Sequence, residues 1–274
     1  MDIAQICAPV AKATWCITEP SQVPSVMRQA FQTVREGRPG PVLIDLPLDV
    51  QKAEIPYDPA LDAPLPIHKP APSPGQITAA LDMLLAAENP VLIMGGGVLL
   101  ANAAGAFVEL AEYLSLPVIT TYMATGGIPA DHPLHVGMGF GPSAVPAAEN
   151  AFKRCDAMLA VGTRFAEICT GSYGSVPPRQ LVHIDINPGA LGRNFPAAVP
   201  IHADARDAVP ALADALDAAI ADRDSGSLAS AIAADKAAYR DEWLQHGAGE
   251  RVNPARFFDA LRERLDDDAV IVAD

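Results

Sequence analysis

The sequence predicts an α/β fold in which a doubly wound parallel sheet is flanked by two partial α/β segments. From residue 75 onward, short apolar runs typical of buried strands alternate with amphipathic stretches typical of helices. These runs end at loops rich in Gly, Thr or Asp, and open α/β sheets bind ligands at such strand-end loops. Half of the 274 residues are hydrophobic, which is enough for a substantial core.

Residues 1–52 are expected to be the end of a domain. An apolar repeat of helical period predicts a helix over 20–36, and the turn signal RPGP precedes an apolar run at 42–46 that predicts a buried strand. Proline then recurs every few residues over 53–74, so neither a helix nor a central strand can persist there. We expect this stretch to be an extended linker at a domain boundary.

A central domain of Rossmann-like type is expected over 75–223, where strands and helices alternate regularly. The predicted helices cover 75–88, 101–115, 144–154 and 206–221. The predicted strands cover 91–94, 118–121, 157–161, 181–186 and 199–202. A glycine-punctuated loop is predicted over 135–140.

Residues 224–274 are expected to be a linker helix followed by the start of a further domain. A polar break at 222–227 precedes a helix predicted over about 228–246. Asn253 as N-cap and Pro254 at the first helical position predict the next helix. The closing sequence DDDAVIVAD then predicts the beginning of a strand.

Charge and cysteine content exclude several classes of protein. The formal net charge is −14, from 33 acidic residues against 19 Lys and Arg, which argues against a nucleic-acid or anionic-membrane surface. None of the four cysteines belongs to a C-x-x-C pair, so a zinc knuckle is not predicted. The first residues lack the apolar core of a signal peptide, and no apolar run is long enough to span a bilayer. We expect a cytoplasmic protein.

No catalytic residue and no metal site is predicted in this chain. His132 and His135 are three residues apart, but Pro133 makes the segment a loop and no third ligand is near. Cys155 and Cys169 have no assignable base, and buried packing thiols are far commoner than reactive ones.

The stretch VLIMGGGVLL at 91–100 is typical of a strand that ends at a phosphate-binding turn. Gly95 and Gly97 fit the first two glycines of G-x-G-x-x-G, but Leu100 occupies the third position. The acid expected about 20 residues later is replaced by Thr120 and Thr121. A standard dinucleotide site is therefore not predicted, although glycines still allow a ligand to approach the backbone closely.

Five further strand-end regions resemble this one, and together they suit a nucleotide. Glycine backbone and Arg164 would hold phosphates, Asp185 ribose hydroxyls, and Asp204 hydroxyl or amino groups. The predicted cofactor-binding residues are Gly95, Gly96, Gly97, Thr120, Thr121, Met123, Gly137, Met138, Gly139, Gly162, Thr163, Arg164, Asp185, Ile186, Asp204 and Ala205.

Several motifs follow one another in an order typical of one enzyme family. They are PVAKATW at 9–15, RPGPVLIDLPLDVQ at 38–51, GGGV at 95–98, PVITTYMATGGIPADHPLHVGMG at 117–139, VGTRF at 161–165, HIDINP at 183–188 and VNPARFFDALRERLDDDAVIVAD at 252–274. Together they resemble the thiamine-diphosphate (ThDP)-dependent family of acetohydroxyacid (acetolactate) synthase, glyoxylate carboligase, benzaldehyde lyase and oxalyl-CoA decarboxylase. The first two resemble the end of its pyrimidine-binding domain, the next four its central domain, and the last the opening of its diphosphate-binding domain.

The resemblance implies a fragment centred on the central domain. The family uses a glutamate early in the pyrimidine-binding domain and a GDG…N motif that binds Mg²⁺ and the diphosphate. Neither is found, and Glu19 and Glu36 do not lie in a matching context. ThDP and Mg²⁺ are therefore expected only in the complete enzyme, a homodimer or homotetramer acting on a small 2-oxo acid. The fragment alone is expected to be inactive.

The resemblance also suggests what the strand-end loops hold. Acetolactate synthase-like members hold FAD there in a structural role, oxalyl-CoA decarboxylase-like members hold ADP or CoA, and pyruvate decarboxylase-like members often hold nothing. Here 137–140 read GMGF where flavin members often carry GMHG, 165–167 read FAE in place of FDD, and Asp185 stands where many have Glu. The expected ligand is thus an adenine nucleotide, FAD or ADP, if the site is filled.

Three alternatives remain open on the residues alone. A stand-alone adenine-nucleotide-binding regulatory domain would explain the loops. An NAD-dependent deacylase on a similar sheet would usually bring a zinc cysteine cluster or a well-placed histidine, and neither is found. An empty structural scaffold is the third alternative.

Overall fold

The computed structural model describes residues 1–139, 144–216, 225–247, 249–266 and 268–272. Its first unit comprises α1 (Ile3–Cys7), β1 (Ala13–Cys16), α2 (Val23–Arg35), β2 (Val42–Asp45) and α3 (Leu48–Lys52). β1 and β2 form a two-stranded parallel sheet. The sequence predicts α2 and β2 but not α1, β1 or α3. A helix of five residues, such as α1 or α3, is too short to show a helical period.

Six parallel strands form the central sheet. They are β3 (Pro90–Met94), β4 (Val118–Thr120), β5 (His135–Met138), β6 (Ala157–Val161), β7 (Gln180–Asp185) and β8 (Val199–His202). Their order across the sheet is β5-β4-β3-β6-β7-β8. This arrangement confirms the predicted α/β class with a parallel sheet. The chain reverses its direction of winding between β3 and β6, which makes their junction the topological switch point of the sheet.

Strand β5 corrects one expectation, since the sequence predicts a loop over 135–140. Val136 is buried and β5 pairs with β4, with a shift of register between Val118 and Ile119. Gly137, inside the strand, has a φ of +114° and leaves no room for a side chain beside Val145. Glycines in a strand weaken the apolar alternation by which a strand is recognised, so the sequence pattern does not indicate β5. Residue 140 lies outside the described residues.

Seven helices surround or extend this sheet in the described part of the chain: α4 (Pro74–Ala86), α5 (Gly96–Leu100), α6 (Ala104–Leu114), α7 (Pro146–Arg154), α8 (Ala205–Leu216), α9 (Ser225–Gln245) and α10 (Pro254–Arg262). The helix predicted over 101–115 begins only at 104, because Asn102 has a φ of +54° and separates α5 from α6. The helix predicted over 206–221 is α8, and 217–221 lie outside the description. None of the described helices is both long and apolar enough to cross a membrane.

Two hydrophobic cores lie on opposite faces of the sheet. Alternate residues of β3 point to opposite sides, so Leu92 and Met94 join one core while Val91 and Ile93 join the other. α4, α6 and α8 cover the first face, and α7 and α9 cover the second. Each fully buried side chain of this size contributes about 1.5–3 kcal/mol of transfer free energy, so both faces hold the strands in place.

The last described segment follows α9. Asn253 caps α10 by accepting the Arg256 N–H at 3.2 Å, as its sequence position predicted, and its amide donates to the carbonyls of Trp243 and His246. The strand predicted in DDDAVIVAD is not found at 268–272, where no neighbouring strand pairs with the described residues. Residues 267, 273 and 274 lie outside the description.

The linker predicted over 53–74 runs without helix or strand from 53 to 73, and α4 begins at Pro74. It contacts the first unit, because Arg28 donates to the Leu61 carbonyl and pairs with Asp62. Ser73 ends it as the N-cap of α4 and accepts the Gln76 N–H. The division of the chain into four segments, at 52/53, 74/75 and 223/224, remains a prediction.

Candidate ligand site at the carboxyl edge of the sheet

The strand-end residues selected from the sequence meet at one edge of the central sheet. All six strands are parallel, so their carboxyl ends lie along the same edge. Each of the sixteen predicted residues lies at a strand end, in the loop that follows it, or in the first turn of the next helix, as Gly96, Gly97 and Ala205 do. The structure therefore places them along one edge, and their contact with a ligand remains a prediction.

The glycines after β3 pack against the loop after β6. A Cβ built on Gly95 would lie 2.6 Å from the Thr163 nitrogen and closer still to the Gly162 carbonyl. A Cβ on Gly97 would lie 2.7 Å from the Gly162 Cα, and Gly162 itself has a φ of +64°. These glycines are needed because two backbones cross in contact at the switch point.

The same contact uses N–H groups that a phosphate would need. Gly95 N–H donates to the Val161 carbonyl at 2.9 Å, and Gly97 N–H donates to the Gly162 carbonyl at 2.9 Å. Gly96 faces Met123, whose Cβ would be 2.9 Å from a Cβ at that position. The glycine run therefore joins the two halves of the sheet, and phosphates must be held mainly by other groups.

The loop after β6 is held in place by hydrogen bonds from His183 and Asn194. The buried ring of His183 lies with Nε2 2.7 Å from the Thr163 carbonyl, so Nε2 donates, while Nδ1 faces the Gly192 N–H at 3.5 Å. Burial lowers the pKa of His183, which keeps the ring neutral in this role. Asn194 donates to the carbonyls of Arg164 and Phe165. Phe165 is buried with a φ of +50° and packs edge-on against His183.

Arg164 is displayed by this rigid loop. It is exposed, and within the described residues its guanidinium makes no hydrogen bond or ion pair. Its position three residues after β6 places it beside the switch point, where open α/β sheets bind ligands. An unpaired guanidinium on a fixed backbone is well suited to bind a phosphate with two parallel hydrogen bonds.

Asp185 ends β7 next to this loop. One of its oxygens, Oδ1, accepts the Asn187 N–H at 2.8 Å, and the other has no partner among the described residues. The half-buried carboxylate is therefore fixed by its own turn with one acceptor available. Ile186 follows, and its carbonyl lies 3.1 Å from His202 Nε2 at the end of β8.

Asp204, after β8, is already engaged. Its side chain is 1% exposed, Oδ1 accepts the Arg206 N–H at 2.9 Å, and Oδ2 lies 2.5 Å from Nζ of Lys69. Ala205, also predicted to contact the ligand, begins α8 and is buried. The lysine comes from the proline-rich linker, and no motif in the sequence indicated it.

The ends of β4 and β5 form the other side of the edge. The Gly139 N–H donates to the Thr120 carbonyl at 2.8 Å, and the Thr121 N–H donates to the Met94 carbonyl at 3.0 Å. Met138 is half-buried at the end of β5. Met123, in the short 3-10 helix Tyr122–Ala124, is 73% exposed, so its apolar side chain is available to a ligand or a partner surface.

His135, at the start of β5, has a strongly perturbed protonation equilibrium. Burial, assisted by the positive charge of Lys236, lowers the pKa of His135 to about 4. Its Nε2 lies 3.5 Å from the Thr120 hydroxyl, and its Nδ1 has no partner in the described part of the chain. The ring is therefore neutral near pH 7 and resists protonation in the folded state.

Stability should consequently fall as the pH falls below 6.5. The folded-state pKa of His135 lies below the unfolded value, so the unfolded chain binds a proton first, and stability is lost between pH 6.5 and about pH 4. Allowing for solvent screening of a partly exposed ring, we expect His135 to account for about 1 kcal/mol of the loss at about pH 5. Urea unfolding of wild type and His135→Gln at pH 6.5 and at about pH 5 measures this loss of stability. An equal pH-dependent loss in the two proteins would contradict this assignment.

The remaining candidates from the sequence show no reactive arrangement. Among the described residues, no group of three or more His, Cys, Asp or Glu side chains is placed to hold a metal ion. His132 Nε2 lies 3.1 Å from Glu112. Burial raises the pKa of Cys155 to about 12 and raises that of Cys169 as well, so both thiols are poor nucleophiles near pH 7.

Known proteins are similar to this chain over its central region. Residues 77–212 match the family model described as the central domain of thiamine pyrophosphate enzymes. Glyoxylate carboligase of Escherichia coli O157:H7 is 44% identical over 213 residues, which is 77% of this chain and 36% of that protein.

Two further relatives carry another name. A probable acetolactate synthase large subunit of Methanocaldococcus jannaschii is 38% identical over 213 residues, covering 76% of this chain and 36% of the relative. The acetolactate synthase large subunit of Corynebacterium glutamicum is 39% identical over 216 residues, covering 77% and 34%. The chain thus spans about a third of the length of these curated relatives.

Proposed function

Because the chain belongs to the thiamine pyrophosphate enzyme family through its central domain, we propose that it is the central region of a ThDP- and Mg²⁺-dependent carboligase or decarboxylase of 2-oxo acids. The relatives named glyoxylate carboligase and acetolactate synthase support this class. The chain covers only about a third of each, so the activity itself is part of the proposal. We also propose that the complete enzyme is a cytoplasmic homodimer or homotetramer.

The residues of this chain do not fit ThDP itself. The sequence contains no GDG motif to hold a metal-bound diphosphate, and neither Glu19 nor Glu36 lies in the context of the activating glutamate. ThDP chemistry would therefore be supplied by parts of the enzyme outside these 274 residues. The chain contributes the scaffold and the edge of the central sheet.

We propose that this edge holds an adenine nucleotide, with Arg164 as its main phosphate ligand. The observation that carries the proposal is the exposed guanidinium, which has no partner among the described residues and lies beside the switch point in a loop fixed through His183 and Asn194. The available Oδ2 of Asp185, one strand further along, suits a ribose hydroxyl. Adjacent strands are about 4.8 Å apart, so both groups can reach one nucleotide.

An empty scaffold is the second candidate, and one observation favours it. The N–H groups of Gly95 and Gly97, which would cradle a phosphate, are used by backbone carbonyls. A nucleotide must therefore depend on side chains at this edge, with less help from the backbone than a standard dinucleotide turn provides.

The proposal is tested by identifying what the chain binds. Protein purified without added nucleotide is denatured, and the released ligand is identified by its absorbance spectrum and by mass spectrometry. Emptied protein is then titrated calorimetrically with FAD, ADP, CoA and NAD. We expect FAD or ADP to be released or to bind, and no decarboxylation of pyruvate or glyoxylate by the chain with ThDP and Mg²⁺. Absence of any bound or titratable nucleotide supports the empty scaffold, and turnover would show that the chain is catalytic by itself.

A further inference from the structure

The buried carboxylate of Asp204 joins the linker to the end of the central sheet. It is 1% exposed, and Nζ of Lys69 lies 2.5 Å from its Oδ2. The backbone of the same two segments is also joined, because the Asp204 N–H donates to the Pro70 carbonyl at 2.8 Å. Two contacts of different kinds therefore attach residues 69–70 to one point after β8.

The other oxygen of this carboxylate serves a separate purpose. Oδ1 accepts the Arg206 N–H in the first turn of α8, so it fixes the start of that helix. Oδ1 accepts from the helix, whereas Oδ2 is buried and is paired with Lys69 by charge, without a hydrogen bond among the described residues, so the carboxylate presents no acceptor to solvent. A ligand at this edge would meet the lysine, whose side chain is 34% exposed, before it met the carboxylate.

The linker is held from its other side as well. The Gln32 side-chain amide donates to the Pro66 carbonyl at 2.9 Å, and Arg28 holds Leu61 and Asp62. Residues 61–70 are thus fixed between α2 and the carboxyl end of β8. A buried ionised carboxylate is stable only with a partner, so loss of the lysine charge should disturb this attachment.

We infer that Lys69 and Asp204 form a latch that holds the linker against the carboxyl end of β8, and that the latched segment is the outer wall of the candidate ligand site. Lys69 is in this respect a positioning residue, contributed by a segment that the sequence marks only as a proline-rich connection. The second half of the inference rests on the proposed function, and the first half does not.

Hydrogen–deuterium exchange of the full 274-residue chain tests the latch without any ligand. In Lys69→Met, we expect the backbone amide of Asp204 and those of the linker to exchange about tenfold faster than in wild type. Lys52→Met, at an exposed lysine without a hydrogen bond or ion pair in the described residues, should leave both unchanged. Lys69→Arg should restore the wild-type rate. Unchanged exchange in Lys69→Met would overturn the latch.

A milder variant and a binding measurement complete the test. Lys69→Gln keeps a hydrogen-bond donor for Asp204, so it serves if Lys69→Met does not fold, with the same faster exchange expected. ADP and FAD are titrated into wild type, Lys69→Gln and Lys52→Met, and we expect about tenfold weaker binding by Lys69→Gln alone. Equal binding by all three proteins would refute the inference that the latched segment is a wall of the ligand site. If wild type binds neither nucleotide, both the proposed nucleotide site and its wall fail, while the exchange data still decide the latch.

Discussion

Replacement of Gly95 by alanine is expected to lower the free energy of unfolding by about 3 kcal/mol, the upper end of what overpacking costs in a well-packed core. The added methyl group would lie against the Gly162 carbonyl and 2.6 Å from the Thr163 nitrogen. Both are backbone atoms of a loop fixed by His183, so they cannot turn away as a flexible side chain would. The two strands on either side, β3 and β6, would have to separate at their carboxyl ends.

Gly105→Ala provides the matched control for this substitution. Gly105 lies in α6, and a Cβ added there meets nothing within 4 Å. Alanine favours a helix over glycine by about 0.5–1 kcal/mol, so this variant should be as stable as wild type or slightly more stable. Urea unfolding of the three proteins gives the comparison. A Gly95→Ala protein within about 0.5 kcal/mol of wild type would show that the crossing backbones can yield.

Replacement of Arg164 by methionine is expected to weaken adenine-nucleotide binding by about 10- to 100-fold. A hydrogen bond from a charged group contributes about 1.5–3 kcal/mol, and each 1.4 kcal/mol changes a dissociation constant tenfold. The side chain is exposed and unpaired in the described residues, so folding stability should not change. Calorimetric titration with ADP measures the affinity, and thermal unfolding without ligand verifies the fold.

The control for this experiment is Arg179→Met. Arg179 is also exposed, but it directly precedes β7 and so lies at the opposite, amino edge of the sheet. Both variants lose one positive charge, so a general electrostatic effect would weaken binding equally. Loss confined to Arg164→Met supports a phosphate contact at the switch point. Equal affinities for wild type and Arg164→Met would remove Arg164 from the site.

The parallel sheet could be predicted because its strands are short and apolar, and because helices long enough to cross over separate β3 from β4 and β5 from β6. Strand β5 could not, since Gly137 and Gly139 interrupt the alternation that identifies a strand. Its pairing with β4 is a tertiary contact.

The same limit applies to the candidate site. The strand-end position of Arg164 and Asp185 follows from the alternation of strands and helices, and the structure places both at the predicted edge. The role of Gly95 does not follow from the sequence, because glycine permits close approach by a ligand and by another backbone equally. Only the position of Gly162 in the structure shows that the neighbour here is backbone. Lys69 was missed because its partner, Asp204, is distant in the chain.

The central position of β3 has a consequence for how this domain is made. β3 is the earliest strand of the sheet to leave the ribosome, and it pairs with β4 on one side and β6 on the other. Until residues 157–161 are synthesised, one edge of β3 is unpaired and the glycine contact cannot close. Non-local pairing of this kind slows folding and leaves an apolar edge open to other chains. The extent of aggregation during synthesis should therefore depend on how soon β6 is synthesised after β3.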